Sequence, residues 1–363
     1  MKLEELLRSH MQQQVVQRMG LVLDLSRFSR QLLFQPIGEN GQKKIRAKHV
    51  LIIGAGALGT ASAESLVRAG IGELTIVDRD YVEWSNLQRQ LLFSESDAQN
   101  RTPKAIAAKS RLSLLNSDVK INAHVMDASV TELEQLIPSV DLIMDATDNF
   151  DTRLVINDLS QKHHVPWIYG ACVGSYGISF TIIPEETPCL NCLLETVPLG
   201  GATCDTVGII SPAVQMVVAY QVAEALKILV DDYDALSGKL VSFDIWKNER
   251  VALSVAKVKK ETCLSCGPNR SYPYLSYQAQ TKTAVLCGRD TVQIRPSINM
   301  DRDLDSLSDI LAKSFDGKMA KNPYLLSFDT GEHRLVIFKD GRVLIHGTKD
   351  ITEAKTIYHK YLG

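Results

Sequence analysis

The sequence predicts an α/β fold: a Rossmann-like, mostly parallel sheet followed by a small C-terminal α+β module. Two observations carry the prediction. Apolar strand runs alternate with helical patterns from residue 27 to about residue 185, the signature of parallel strands joined by helical crossovers. Within that stretch, Gly54-Ala55-Gly56-Ala57-Leu58-Gly59 stands between a strand and a helix, so a glycine turn lies at the C-terminal edge of the sheet. A third feature lies downstream. The Cys-x-x-Cys pairs Cys189/Cys192 and Cys263/Cys266 have the spacing of a closed, tetrahedral Zn2+ site that staples distant parts of a chain.

The first unit is the clearest. His49-Val50-Leu51-Ile52-Ile53 is an apolar, β-branched run ending at Gly54, and a helical pattern follows from Leu58 to Ala69 and stops at Gly70. Glu73-Leu74-Thr75-Ile76-Val77 is the next strand, closed by Asp78. Glycines at Gly54, Gly56 and Gly59 let the backbone approach a phosphate, and the following helix offers unpaired N–H groups. An acid about 20 residues further on suits ribose hydroxyls, which makes Asp78 a candidate nucleotide ligand. This fingerprint alone does not separate a dinucleotide from ATP. Val140 to Met144 reads as another buried strand, ending in Asp145-Ala146-Thr147-Asp148-Asn149.

Later elements follow from turn and cap chemistry. Ser211-Pro212 starts a long helix, with serine as N-cap and proline in the first turn. The apolar run from Ala213 to Val230 reads as core or dimer interface, with Glu224 and Lys227 facing polar partners. Thr283 to Arg295 reads as a strand region and Asp301 to Phe315 as a helix. Arg334-Leu335-Val336-Ile337-Phe338 and Arg342-Val343-Leu344-Ile345-His346 flank Lys339-Asp340-Gly341, a hairpin signal. Asp350-x-x-Glu353 resembles a capping box opening the last helix. The chain therefore divides into an extension at 1–26, a main domain at 27–269 with the zinc site, and a module at 270–363. The extension reads equally well as an amphipathic docking helix or as an unstructured arm.

Composition sets outer limits. With 363 residues, 45% hydrophobic and 23% charged, the chain is an ordinary globular protein, and a net charge of -2 supplies no global field for nucleic acid or an acidic membrane. Seven cysteines, two pairs of them at metal spacing, fit a reducing compartment better than a disulfide framework. The apolar stretch Met19 to Leu25 is interrupted by Asp24 and is neither a signal peptide nor a membrane span. A cytoplasmic location is expected.

The segments after Asp78 favour ATP. Asn86 and Arg89, in Asn86-Leu87-Gln88-Arg89-Gln90, and Lys104, in Thr102-Pro103-Lys104, can neutralise a triphosphate. Hydride chemistry would need a nicotinamide pocket there instead. Asp148 lies just past a strand end, where a Mg2+-binding carboxylate belongs. The alternative for Asp145 and Asp148 is that they cap the following helix.

Taken in order, Gly54-x-Gly56-x-x-Gly59, Asp78, Asn86 to Gln90, Thr102-Pro103-Lys104, Asp145 to Asn149 and the two cysteine pairs resemble the bacterial adenylyltransferases of thiamine and molybdopterin synthesis (ThiF/MoeB type). The resemblance spans about residues 27–269. It implies ATP-dependent adenylation of the C-terminal glycine carboxylate of a ubiquitin-like sulfur-carrier protein, with ATP, Mg2+ and Zn2+ as cofactors. It also implies a homodimer in which an arginine, matched here by Arg30 of Arg27-Phe28-Ser29-Arg30-Gln31, reaches the partner's ATP site. Arg30, Arg89, Lys104 and Asp148 become the catalytic candidates. Cys204, in Gly200-Gly201-Ala202-Thr203-Cys204-Asp205, matches a cysteine that takes part in acyl or sulfur transfer in some members. The alternative for Cys204 is a free loop thiol, and Asp205 beside it would raise its pKa. A sulfur-donor protein is a further partner the resemblance allows. Cys172 reads as a core residue and Cys287 as a bystander, not a sulfurtransferase nucleophile. A catalytically silent carrier-binding protein is the competing functional reading.

Overall fold

In a computed structural model, residues 25–194, 207–276, 283–285, 290–294 and 302–362 are described, and the extension to residue 24, Cys204 and Cys287 lie outside them. The main sheet has eight strands: β1 (His49–Ile53), β2 (Glu73–Val77), β3 (Lys120–His124), β4 (Leu142–Asp145), β5 (Trp167–Val173), β6 (Tyr176–Ile182), β7 (Lys239–Asp244) and β8 (Glu249–Ser254). Their order is β3-β2-β1-β4-β5-β6-β7-β8. The stretch from β3 to β5 is parallel, and β5 to β8 form an antiparallel meander on one side. The expected parallel half is present; the meander was not anticipated.

Central strands are covered on both faces, which is why β1 and β2 read as continuous apolar runs. Alternate residues of β1 point to opposite faces. Val50 and Ile52 join one core with Ala63, Leu66 and Val67 of the helix Ala57–Ala69 and with Ile228 of the helix Ser211–Leu229. Leu51 and Ile53 join the other with Ile156 and Leu159 of the helix Phe150–His163. Cys172, Leu58, Val214 and Val217 form a smaller cluster, so Cys172 is the core residue it was expected to be. Ser211 is the first residue inside its helix, not the cap; Ile210 holds the cap position without a side-chain hydrogen bond. Glu224 meets Lys227 Nζ at 2.6 Å and accepts from Thr181 Oγ1 at 3.0 Å, so both charges of this helix are paired.

The glycine turn is shaped by sterics. Gly54 has φ +98°, and a Cβ there would come within 2.4 Å of Ala146 O. A Cβ on Gly59 would meet Gly54 O at 1.9 Å, so this glycine lets the helix close on the turn. Gly56 is different: a Cβ there meets nothing within 4 Å, leaving open space beside the helix start.

The C-terminal module is a six-stranded antiparallel sheet: β9 (Thr283–Val285), β10 (Thr291–Ile294), β11 (Lys318–Lys321), β12 (Leu325–Asp329), β13 (Arg334–Phe338) and β14 (Val343–His346), ordered β11-β12-β13-β14-β10-β9. The β13–β14 hairpin turns at Gly341, φ +87°, as the Asp-Gly signal implied. Leu326, Phe328, Leu335, Ile337, Val343 and Ile345 form a core with the helices Leu304–Ser314 and Ile351–Leu362. The opposite face, with Leu325, Val336, Phe338 and Leu344, packs on Tyr81 beyond β2. The first of these helices is shorter than expected because Asp303 caps it, accepting from Asp305 N at 3.0 Å. Asp350 caps the second, accepting from Thr352 N at 2.6 Å, but Glu353 turns to Thr348 and does not close a reciprocal box.

Denaturant unfolding tests the reading of the turn. Gly59→Ala is expected to lose about 1–3 kcal/mol through overpacking, whereas Gly56→Ala is expected to lose far less.

Candidate nucleotide site and cysteine cluster

The site begins where the chain leaves β4. Asp145 is fully buried; its Oδ1 accepts from Thr147 N at 2.9 Å and Thr147 Oγ1 at 2.7 Å, and its Oδ2 from Arg153 Nε at 2.9 Å. The Arg153 guanidinium also donates to Thr147 O at 2.6 Å and to Gly170 O of β5 at 3.1 Å. It lies 5.1 Å from the Tyr169 ring centre and 5.3 Å from that of Phe150. Burial disfavours its charge, but Asp145, Tyr169 and Asp148 together outweigh that and hold it above the ordinary arginine range. Burial likewise pushes the Tyr169 hydroxyl up to about 12. Gln221 Nε2 donates to Asp145 O at 3.0 Å and Ile168 O at 3.2 Å, fastening β4 to β5.

Neither acid caps the next helix. Asn149 does, accepting from Thr152 N at 2.9 Å. Asp145 is thus committed to structure. Asp148 is exposed at the strand's C-terminal edge, with Asn149 Nδ2 at 3.3 Å from its Oδ1. An exposed carboxylate at this strand end has the oxygen donor chemistry Mg2+ prefers.

Asp78 is tied directly to the glycine turn. Its Oδ2 accepts from Ala55 N and its Oδ1 from Asp80 N, both at 2.6 Å. Burial pushes its carboxyl up, and the nearby Lys104 charge opposes that. Lys104 opens the helix Lys104–Leu115 and is 5% exposed. Its backbone N donates to Asp80 O at 2.9 Å, and its Nζ lies 3.5 Å from Asp80 Oδ2. Lys104 therefore presents a buried ammonium beside both Asp78 and Asp80, a charge suited to a phosphate oxygen.

Three residues that sequence reasoning passed over belong to this group. Arg79 Nη1 is 3.4 Å from Asp127 Oδ1, and Arg79 Nε is 3.9 Å from Asp80 Oδ1. Burial opposes the Arg79 charge, but Asp127, Asp80, Asp148 and Asp78 together hold it above the ordinary range. The only signal was the charged triplet Asp78-Arg79-Asp80; Asp127 had none.

The remaining candidates are placed less directly. Asn86 is 1% exposed and its Oδ1 accepts from Glu83 N at 3.0 Å, so it shapes the turn before Arg89. Arg89 is half-buried and donates to Ser85 O at 2.8 Å. Arg30 is exposed on the short helix Ser29–Leu32. Its neighbours are anchored at the far end of the helix that starts in the glycine turn. Gln31 Nε2 donates to Ala69 O at 3.0 Å, and the ring of Phe28 fills the space a Cβ on Gly70 would need. That helix has 13 residues, about 20 Å at ~1.5 Å per residue. Arg30 is not brought to its own chain's glycine turn.

The four cysteines converge. Their sulfurs all lie within 4.8 Å of one another, and each is buried. Cys189 Sγ is 3.7 Å from Cys263 Sγ, and Cys192 Sγ is 3.6 Å from Cys266 Sγ. A tetrahedral ion at ~2.3 Å from each sulfur would space the sulfurs by about 3.8 Å, so the quartet fits Zn2+ with no open position. The helix Phe150–His163 supports the cluster: Asn157 Oδ1 accepts from Leu190 N at 2.8 Å, and Asp158 Oδ2 from Tyr274 N at 2.9 Å. Metal analysis is expected to find one zinc per chain and none in Cys263→Ala, with thermal stability falling in that variant and in chelator-stripped protein.

Strand order reverses between β1 and β4, and the glycine turn, Asp78, Lys104 and Asp148 gather at the C-terminal strand ends around that point. This defines a nucleotide-binding α/β protein with its crevice at the topological switch. Comparison with known proteins narrows the class. The ThiF family matches residues 28–265. The sulfur carrier protein ThiS adenylyltransferase of Bacillus subtilis is 54% identical over 337 residues, 93% of this chain and 99% of that one. The Escherichia coli protein of the same name is 34% identical over 251 residues, 69% of this chain and 98% of its own length. The SAMP-activating enzyme E1 of Haloferax volcanii is 35% identical over 231 residues, 62% of this chain and 84% of its own. The crystal structure of E. coli MccB with ATP shares the fold, with a TM-score of 0.58 and 23% identity over 66% of this chain and 74% of that one. This chain belongs to the ThiF family.

Proposed function

We propose that this protein adenylates the C-terminal glycine carboxylate of a ubiquitin-like sulfur carrier, with ATP as adenylyl donor and pyrophosphate as leaving group. The observation that carries the reading is the buried Lys104 beside Asp78, which holds the open glycine turn, with the exposed Asp148 across the switch point. The names of the Bacillus subtilis and Escherichia coli relatives support a ThiS-type, thiamine carrier.

The chemistry requires bringing two anions together. The carrier's carboxylate attacks the α-phosphorus of ATP, an O–P bond forms, and the bond to pyrophosphate breaks. No general base is needed, since the nucleophile is already ionised. Open backbone at Gly56 and the N-terminus of the helix Ala57–Ala69 receive phosphate oxygens. Asp78 lies at the ribose position. Lys104 and Arg89 offset charge on the departing pyrophosphate, and Asn86 sets the turn that presents Arg89. Asp148 would hold Mg2+, which supplies charge neutralisation on the phosphates. The Cys189/Cys192/Cys263/Cys266 zinc is structural and takes no part in the reaction. Cys204 is a candidate for later transfer of the activated acyl group.

Arg30 completes the site from a second copy. Anchored a helix length from its own glycine turn, it is free to reach another chain's crevice, which makes the protein a homodimer by function. The division into 27–269 as the adenylating unit and 270–363 as the appended module belongs to the same proposal. So does a reducing, cytoplasmic setting, which the thiolate quartet suits; no helix among the described residues is long and apolar enough to cross a membrane.

ATP–pyrophosphate exchange tests this reading with purified thiamine-type and molybdopterin-type carriers, each beside a form lacking its last glycine. Exchange is expected only with intact carriers, and Lys104→Ala or Arg89→Ala is expected to lower it about 10²–10³-fold. Mixing the inactive Arg30→Ala and Asp148→Ala variants is expected to restore exchange, because a mixed dimer holds one complete site. Absence of exchange with either carrier would contradict the proposal, and no restoration on mixing would contradict the shared site.

A further inference from the structure

The C-terminal module touches the main domain at the nucleotide site itself. Along β10, Val292 and Ile294 face the module's own core, which turns Thr291 and Gln293 toward the main sheet. Gln293 is 1% exposed, and its Nε2 donates to Asp127 Oδ2 at 2.8 Å. Its Oε1 is buried without a hydrogen-bond partner among the described residues, so the contact with Asp127 orients the amide. Asp127 lies just beyond β3 and is 8% exposed; its other oxygen is 3.4 Å from Arg79 Nη1. Arg79 adjoins Asp78, which holds Ala55 N of the glycine turn, and it faces Asp80, which is 3.5 Å from Lys104 Nζ. A chain of polar contacts therefore runs from the module to the lysine at the phosphate site.

The rest of the contact is firm enough to transmit a constraint. Tyr81, 2% exposed, is packed by Leu325, Val336, Phe338 and Leu344 and accepts from Arg334 Nη2 at 3.1 Å. Arg101 donates to Ser327 Oγ, and Asn322 Nδ2 donates to Arg101 O at 3.1 Å. Four carboxylates, Asp78, Asp80, Asp127 and Asp148, surround a site that must accept a polyanion, so the placement of Arg79 among them matters at close range.

We propose that Gln293 of the C-terminal module is a positioning residue for nucleotide binding, holding Asp127 so that Arg79 stays between the acids that flank the glycine turn and Lys104. The inference rests on the nucleotide reading above and extends it: the module sets ATP affinity and does not merely enlarge the protein. Asp127 and Arg79 act with Gln293 as one unit.

Calorimetric titration of the full-length protein with magnesium-ATP, without carrier, tests this. Gln293→Leu keeps size and burial while removing the donor; Gln293→Met is the second variant should leucine impair folding. Either is expected to raise the ATP Kd about 3- to 20-fold, while the KM for carrier in exchange stays unchanged. Arg79→Met is expected to weaken ATP at least as much, and Gln293→Leu added to it is expected to do nothing further. Ser327→Ala, at the same interface but outside the chain of contacts, is expected to leave the Kd unchanged. An unaltered Kd in Gln293→Leu, or effects that multiply with Arg79→Met, would overturn the proposal. Failure of the unaltered protein to bind ATP would overturn both readings, whereas ATP binding without carrier-dependent exchange would sink only the carrier assignment.

Discussion

The buried pair between Asp145 and Arg153 organises the functional end of this molecule. Asp145 closes β4 and turns Thr147 back on itself. Arg153 pins that turn to the start of the next helix and to Gly170 on β5. Ala146, between them, is the wall against which Gly54 and Gly59 pack. One ion pair thus fixes where the glycine turn sits, how β4 meets β5 and where Asp148 emerges. A buried pair of this kind adds little net stability over an apolar substitute, because desolvation offsets attraction. Its value here is positional.

Much of the fold was legible where period and punctuation agreed. β1, β2 and the helix between them end at Gly54, Gly70 and Asp78 as the sequence signals imply, because each boundary has a steric or capping cause. The antiparallel meander was not legible. β8 alternates Val251 and Leu253 with Arg250, Ala252 and Ser254, but every residue is exposed, so no buried face marks its antiparallel pairing with β7. The hairpin at Gly341 was legible because only a few residue pairs tolerate its backbone.

Site residues divide in the same way. Those whose role depends on a local backbone shape, such as Gly54, Gly59 and the cysteine pairs, announce themselves. Those whose role depends on a distant partner do not. Arg153 lies within a helix that reads as an ordinary mixed-charge segment, and its function appears only when β4 and β5 are side by side. Gln293 meets Asp127 across 166 residues of sequence, and no spacing rule reaches that far. The zinc cluster shows the converse: 74 residues separate Cys189 from Cys263, yet the spacing within each pair gives the site away.

A double-mutant cycle on Asp145 and Arg153, read as unfolding free energy and as ATP–pyrophosphate exchange, tests the central claim most directly. Asp145→Ala is expected to lose about 3–5 kcal/mol, because it strands a buried guanidinium. Combining it with Arg153→Met is expected to lose less than the two single losses summed, by at least ~1 kcal/mol. Exchange is expected to remain low in the folded double variant, since the side-chain contacts that tie the Asp148 loop to Thr147 and Gly170 are then lost. Additive stability losses, or a double variant with full exchange, would contradict the role assigned to the pair.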